Sequence, residues 1–488
     1  MQGRRAVSVL LALVVGSLPC PETADAAEPV RLRVMTFNIW YGATATDLSQ
    51  VIEAIRAAGA DVVGLQEPYA RLRRIARALG FHAAPRMHVI SRYPILEPEG
   101  SDGWWAYLWL GPGRVAAIAN THLSCCPYTP YRIVHRGIDR ERALEIETNT
   151  RLRQIARHLD ALGGVLDAGI PTFFTGDFNA PSWRDWTREA VDARGLPYPV
   201  RWPVSLAMEA AGFVDPYRVL HPDPVADPGF TWTPGYPAPY VSDREVHDRI
   251  DFVWAAGARP VRSQVVGESR ANADVVVRPW PSDHRAVVTT FDIEPVEPPT
   301  FVASNRERSR LGGSLPVWFH GTGADRIALV PSGAPEPVAE RAVAAEADGR
   351  ITFPTEGLAQ GAYDLLLLDG SGGELARDRV VLVEADQPPV LRLADRTLQG
   401  DQPLQVSWAF APGNRFDWLG VYRAGVDPKR GRLLAWRYTR GTIEGETRLA
   451  GGVRGSAGWP LPTGRYELHL CLDDSYRCRT SVPFRVLA

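Results

Sequence analysis

Four stretches in the first two hundred residues repeat one pattern, a short apolar or β-branched run that ends in a polar triplet. Arg33-Val34-Met35 leads into Thr36-Phe37-Asn38, and Asp61-Val62-Val63-Gly64 leads into Leu65-Gln66-Glu67. Val115-Ala116-Ala117-Ile118-Ala119 leads into Asn120-Thr121-His122-Leu123, and Thr172-Phe173-Phe174-Thr175 into Gly176-Asp177-Phe178-Asn179. Short runs of this kind read as buried strands, which places the reactive side chains at strand ends. Between them, Leu48 to Ala58 carries apolar residues at helical spacing behind Asp47, a capping residue type, and Arg140 to Leu162 reads as a long amphipathic helix. Strands alternating with helices predict a layered α/β unit rather than an all-β one.

The pattern changes at Glu294-Pro295-Val296-Glu297-Pro298-Pro299, where closely spaced prolines favour a stiff extended linker. Beyond it the chain repeats itself. Asp325-Arg326-Ile327-Ala328-Leu329-Val330 corresponds to Asp417-Trp418-Leu419-Gly420-Val421-Tyr422, and Gly361 to Leu367 corresponds to Gly464 to Leu470. Short alternating strands, Gly and Pro turns and few helix signals predict two all-β sandwich modules, similar to immunoglobulin-like accessory domains. Pro388-Pro389 marks the boundary between them. The expected organisation is a signal peptide over 1–26, a catalytic domain over 27–297, and modules over 298–386 and 387–488. Neither module carries a catalytic-looking cluster, so a spacer or a binder of a surface or polymer ligand is expected there. Trp408, Trp418, Trp436 and Trp459 are candidates for that contact, although sandwich cores also use Trp.

Composition narrows the setting. A chain of 488 residues exceeds one ordinary core and suits about three domains. A net charge of -2 gives no global field toward nucleic acid or anionic membrane. Lys429 is the only lysine, a bias that reflects composition more than function. Arg4-Arg5, the apolar stretch Ala6 to Leu18 and Ala24-Asp25-Ala26 form a secretory signal, implying a secreted or periplasmic protein without a transmembrane segment in the mature chain. Four cysteines then remain. Cys471 and Cys478 flank a hairpin-like turn and are expected to bridge. The adjacent Cys125 and Cys126 can bridge, bind metal or stay free, and a bridge is favoured.

The polar triplets, with Ser282-Asp283-His284, supply two histidines with several carboxylates and amides, a kit for cutting a phosphate ester with a hard divalent metal. Together with Arg249-Ile250-Asp251-Phe252-Val253, and in this order over residues 30 to 294, they resemble the endonuclease/exonuclease/phosphatase superfamily, the deoxyribonuclease-I-like fold. The resemblance implies a four-layer α/β/β/α two-sheet sandwich. It also implies Mg²⁺, with Mn²⁺ or Ca²⁺ as alternatives, held by Glu67, Asn38 and Asp283. It assigns His284 and Asp251 to a hydrogen-bonded pair, with Asp283 orienting the site or ligating metal. Asp177 is placed to hold or activate the attacking water, and Asn179 to donate to a phosphoryl oxygen. His122 leans away from abasic-site repair nucleases and toward deoxyribonuclease-like, sphingomyelinase-like and inositol-phosphatase-like branches. Asp283 and His284 can share one pocket only if their segment is a loop, which Pro279, Pro281 and Ser282 favour.

The expected activity is hydrolysis of a phosphodiester, in nucleic acid or a phospholipid head group. The alternatives are a phosphomonoesterase, or an adhesion protein whose first domain is idle. Trp104-Trp105, Tyr107 and Trp109, with the Cys125-Cys126-Pro127-Tyr128 loop, mark segments expected to flank the site; Trp109 alternates into a strand, which leaves the Trp104-Trp105 pair and the loop as the rim candidates. Trp232, in Gly229-Phe230-Thr231-Trp232, is a candidate substrate contact at the rim.

Overall fold

The computed structural model describes residues 29–343, 347–450 and 459–487. The expected signal peptide lies outside the described residues. The amino-terminal unit, expected to be the catalytic one, contains β1 (Val30–Asn38), β2 (Val62–Gln66), β3 (His82–Ala84), β4 (Val89–Ser91), β5 (Ile95–Leu96) and β6 (Trp105–Gly111). It continues with β7 (Arg114–His122), β8 (Thr172–Asp177), β9 (Asp251–Ala256), β10 (Arg259–Gly267), β11 (Val275–Val276) and β12 (Ala286–Ile293). One sheet has the order β11-β10-β12-β1-β2-β4-β3 and the other β5-β6-β7-β8-β9. β1 and β2 run parallel within the first, as do β7 and β8 within the second.

Side chains alternate across a strand, and here the alternation sorts the layers. Leu32 and Val34 of β1, Val62 of β2, Ile118 of β7, Phe173 of β8 and Val253 of β9 pack between the two sheets. Met35 and Phe37 face the other way, onto the helices Leu48–Ala58 and Leu72–Leu79. Phe174 and Trp254 of the second sheet pack on the helices Arg153–Asp167 and Pro203–Ala210. The result is the expected α/β/β/α sandwich. Asp47 caps its helix, accepting from Ser49 N at 2.8 Å, and Gly59 ends it with a left-handed φ of 61°. The helix expected over Arg140 to Leu162 is found with a π-helical segment, Thr148–Leu152, inside it.

The inward face changes character toward one end. Along β1 it runs Leu32, Val34, Thr36, Asn38; along β8, Phe173, Thr175, Asp177. Polar groups between two sheets must pair with each other, and these do. Asn120 donates to Leu65 O and Met87 O, both at 3.0 Å, and accepts from Gln66 Nε2 at 2.8 Å and Thr175 Oγ1 at 3.0 Å. Gly64 lies under this network, where an added Cβ would stand 2.0 Å from Thr175 Oγ1 and 2.5 Å from Asn120 Oδ1.

Each carboxy-terminal module pairs a three-stranded with a five-stranded sheet in the same order, so the internal repeat is a repeat of topology. In the first module Ser314–His320 lies between Phe301–Ser304 and Asp348–Pro354; in the second Leu404–Ala409 lies between Val390–Leu393 and Gly445–Leu449. Cys471 and Cys478 are bridged, as expected. Cys125 and Cys126 are exposed separate thiols, their sulfurs 2.6 Å apart, so the bridge favoured there is not formed. Trp408 and Trp418 are core residues rather than exposed ligand contacts, because sandwich interiors need large apolar volume. Trp105, Tyr107 and Trp109 are likewise buried, against Phe301 and Trp318 of the first module. Tyr107 and Trp109 join two units, Trp109 from within a strand as expected, and Trp105 is a core residue rather than a rim one.

The contacts around Gly64 make a stability prediction. Gly64→Ala is expected to cost about 3 kcal/mol, at the upper end of overpacking penalties, because the methyl group meets a fixed polar network. Urea unfolding of the variant and wild type measures it.

Candidate active site

The polar ends of β1, β2, β7, β8 and β9 meet the loop before β12 at one edge of the sandwich. Their centre is Asp177, last residue of β8 and 1% exposed. Its Oδ2 accepts from Asn38 Nδ2 at 3.0 Å and lies 3.4 Å from His122 Nε2 and 3.7 Å from His284 Nε2. Its Oδ1 accepts from Asn179 N at 2.9 Å. Asn179 adopts a left-handed φ of 49°, a conformation Asn tolerates. Its side-chain nitrogen donates to Leu123 O at 3.0 Å, which leaves one amide hydrogen for another partner.

His284 Nδ1 lies 2.9 Å from Asp251 Oδ2, so the expected pair is present. Antiparallel register sets Asp251 directly opposite Asp177. Residues 281–283 form the required loop, and its anchors are backbone contacts. Ser282 Oγ donates to Asn38 O at 2.6 Å and accepts from His284 N at 3.1 Å, while Trp280 Nε1 donates to His284 O at 2.7 Å. Thr233 Oγ1 donates to Asp283 O at 2.6 Å. Trp232, the candidate substrate contact, packs its ring 4.8 Å from that of His284.

Glu67 follows β2 with a left-handed φ of 57°, unusual for a residue of its size. This turns its carboxylate back to the site, where Oε2 accepts from Tyr41 N at 2.7 Å. Tyr41 is half exposed and meets Tyr69 edge to face.

Burial and the neighbouring acids set the titration. Burial pushes Asp177 up to about 7, against the pull of His284 and of the Asn38 and Asn179 N–H groups. Burial, with the charges of Glu67 and Asp177, raises Asp283 to about 6 despite His284. Burial alone would lower His284, yet Asp251, Asp177 and Asp283 hold it up at about 10. Burial lowers His122 although Glu67 acts the other way. His284 is thus the cationic imidazole at neutral pH and His122 the neutral one.

Asp177, Asp251 and His284 offer ligand atoms within 4.8 Å of one another, a set able to hold a metal ion. His284 Nδ1 is already bonded to Asp251, and its Nε2 faces Asp177 at 3.7 Å. The oxygen donors of Glu67, Asp283 and Asn38 suit a hard divalent cation better. Asp251 Oδ1 is buried without a protein partner.

The second module reaches this edge, which no local motif announced. Asp473, 2% exposed, pairs with His88 Nε2 at 2.7 Å and accepts from Ala70 N at 2.7 Å, three residues past Glu67. Arg415 Nη1 donates to Asn120 O at 2.8 Å. Asp474 accepts from Tyr438 Oη at 2.6 Å, and burial lifts it to about 7 with a contribution from Glu67. The signal in the sequence was only the acidic pair inside the Cys471 to Cys478 hairpin.

A model of the endonuclease/exonuclease/phosphatase family matches residues 35–284. An uncharacterized protein of Caenorhabditis elegans is 28% identical over 318 residues, 58% of this chain and 98% of that protein. The crystal structure of an endonuclease/exonuclease/phosphatase from Beutenbergia cavernae aligns over 72% of this chain and 100% of that one, at 18% identity and a TM-score of 0.35. Fibronectin(III)-like modules of Clostridium thermocellum CbhA align over 38% of this chain and 94% of theirs, at 15% identity and a TM-score of 0.14.

Two outcomes are expected. Asp473→Ala leaves the buried His88 and Ala70 N–H without their acceptor and costs about 3 kcal/mol, measured by urea unfolding. In the metal-free protein the His284 contribution has a definite sign, because its folded pKa lies above the unfolded one. It is present below about pH 6.5 and lost as pH rises through about 10. The stability difference between wild type and His284→Gln should therefore shrink over that range, and a constant difference would contradict the assignment.

Proposed function

Because the chain belongs to the endonuclease/exonuclease/phosphatase family, we propose that this hydrolase of phosphoester bonds cleaves phosphodiesters, in nucleic acid or a phospholipid head group, with Mg²⁺. The observation that carries the reading is the single carboxylate of Asp177 with Asn38, His122 and His284 around one oxygen.

Asn38 and Asn179 N–H fix the Asp177 carboxylate, which holds a water and takes its proton as that oxygen attacks phosphorus. His284, kept cationic and in one orientation by Asp251, donates from Nε2 to a phosphoryl oxygen, and this bond strengthens as negative charge builds there. His122, neutral and carrying its proton on Nε2, donates to the same group. Asn179 presents its remaining amide hydrogen to the phosphoryl oxygens. When bound by Glu67, Asn38 and Asp283, Mg²⁺ supplies charge neutralisation at the phosphate and the leaving oxygen.

The arrangement of 27–297 as catalytic domain, with modules over 298–386 and 387–488, accompanies this proposal. So does export directed by residues 1–26. No helix among the described residues is long and apolar enough to cross a membrane.

The test uses protein lacking residues 1–26 with bis-(p-nitrophenyl) phosphate, p-nitrophenyl phosphate, plasmid DNA and sphingomyelin, in Mg²⁺ and in EDTA. Metal-dependent cleavage of a diester is expected, lowered on the order of a hundredfold or more in His284→Ala and Asp177→Ala. Near wild-type rates in both variants would overturn the roles, and preference for the monoester would overturn the substrate class. Glu67→Gln should raise the Mg²⁺ concentration for half-maximal rate at least about tenfold, the scale lost when even a supporting partner of a metal ligand is removed.

A further inference from the structure

A cavity of about 690 Å³ opens where the catalytic unit and both modules meet, away from Asp177. Its wall carries Arg73 and Arg77 from the helix Leu72–Leu79, and Arg306, Arg308 and Arg310 from the first module. Pro412, Gly413 and Ile443 of the second module close it. Among the described residues, none of these five guanidiniums has a carboxylate within ion-pair distance. Arg73 donates to Asn414 Oδ1 and Pro412 O, both at 3.0 Å, and Arg308 donates to Gln387 O at 3.2 Å; all three acceptors are neutral. Arg308 Nε is buried with no hydrogen-bond partner.

The acids in the wall do not balance this charge. Glu307 is taken by Arg86, at 3.1 Å, and Arg86 also reaches Asp102 at 3.5 Å. Glu97 is pushed well above the ordinary carboxylate range, by burial first and by Glu307 second, so it tends to stay protonated. The excess positive charge is felt among the arginines themselves. Arg308 is lowered by burial and by Arg310, while Arg73 is lowered by burial, with Arg308 adding to it against the acids nearby. Arg306 likewise lowers His82 beyond the effect of burial.

Arg73, Arg77, Arg306 and Arg310 are exposed and Arg308 is half-buried, yet all five, from two units, line one recess. Planar guanidiniums match phosphate oxygens in pairs. The volume falls within the roughly 300 to 1,000 Å³ of small-molecule sites and is too small for a folded partner. We propose that this three-way junction is a binding site for a compact molecule carrying two or more phosphate groups. Occupancy fastens the catalytic unit to the modules, because the ligand bridges side chains of both.

The experiment is calorimetric titration of the full chain with sodium tripolyphosphate in EDTA, so that the catalytic site is without metal. One equivalent should bind to wild type and to His284→Ala alike, which separates this cavity from the catalytic site. The double variant Arg306→Ala/Arg310→Ala removes two guanidiniums that no carboxylate of the fold engages. It should bind about a hundredfold more weakly, roughly tenfold for each guanidinium removed. Its Mg²⁺-supported turnover should be unchanged. Absence of binding, binding that survives in the double variant, or binding abolished in His284→Ala would overturn the proposal. So would capture of a single-stranded oligonucleotide by the arginines with no affinity for tripolyphosphate.

Discussion

One buried carboxylate organises this molecule's chemical edge. Asp177 is an expensive residue to place between two sheets, since a desolvated charge is tolerated only with partners. Its partners come from four other places in the chain: Asn38 at the end of β1, His122 at the end of β7, Asn179 just beyond β8, and His284 in the loop before β12. Satisfying that single group therefore sets the relative heights of strands in both sheets. The convergence that satisfies the buried acid is also what gathers Asn38, His122, Asn179 and His284 at one edge.

Behind this centre lies a graded interior. The inward faces pass from Leu, Val, Ile and Phe through Thr36, Gln66, Asn120 and Thr175 to the reactive groups. The amide of Asn120, with hydrogen bonds to Leu65, Gln66, Met87 and Thr175, links the sheets at the level where the apolar core ends. Low dielectric strengthens each of these bonds and makes any unpaired member costly. Gly64 and the left-handed turns at Glu67 and Asn179 are the local departures that let backbone and side chains converge there.

The carboxy-terminal modules belong to the same construction. Asp473 grips the segment after Glu67 by a backbone N–H and by His88, and Arg415 binds the carbonyl of Asn120. Phe301 and Trp318 cover Trp105, Tyr107 and Trp109 on the second sheet. The modules thus bear on the loop that carries Glu67 and on the strand that carries His122. They are more than spacers or remote binders, because part of their surface is committed to the catalytic unit.

Much of the fold and the site was legible from residues alone. Apolar runs ending in polar triplets located β1, β2, β7 and β8, and the period of two follows from backbone geometry that any strand shares. The proline-rich break and the repeat of Asp325 to Val330 in Asp417 to Tyr422 likewise marked two modules of one topology. What local pattern could not show was which surfaces would be covered. Trp105 looked like part of a rim, and Trp408 and Trp418 like ligand contacts, because an aromatic side chain is equally suited to a rim and to a core. Nor could it show that Asp473 would reach His88 across 385 positions, or that five arginines from two units would face one cavity. Strands, motifs and their order were readable along the chain because they depend on near neighbours. The partners of His88, Asn120 and Arg308 were settled by packing alone, because burial and charge balance depend on everything that surrounds a group.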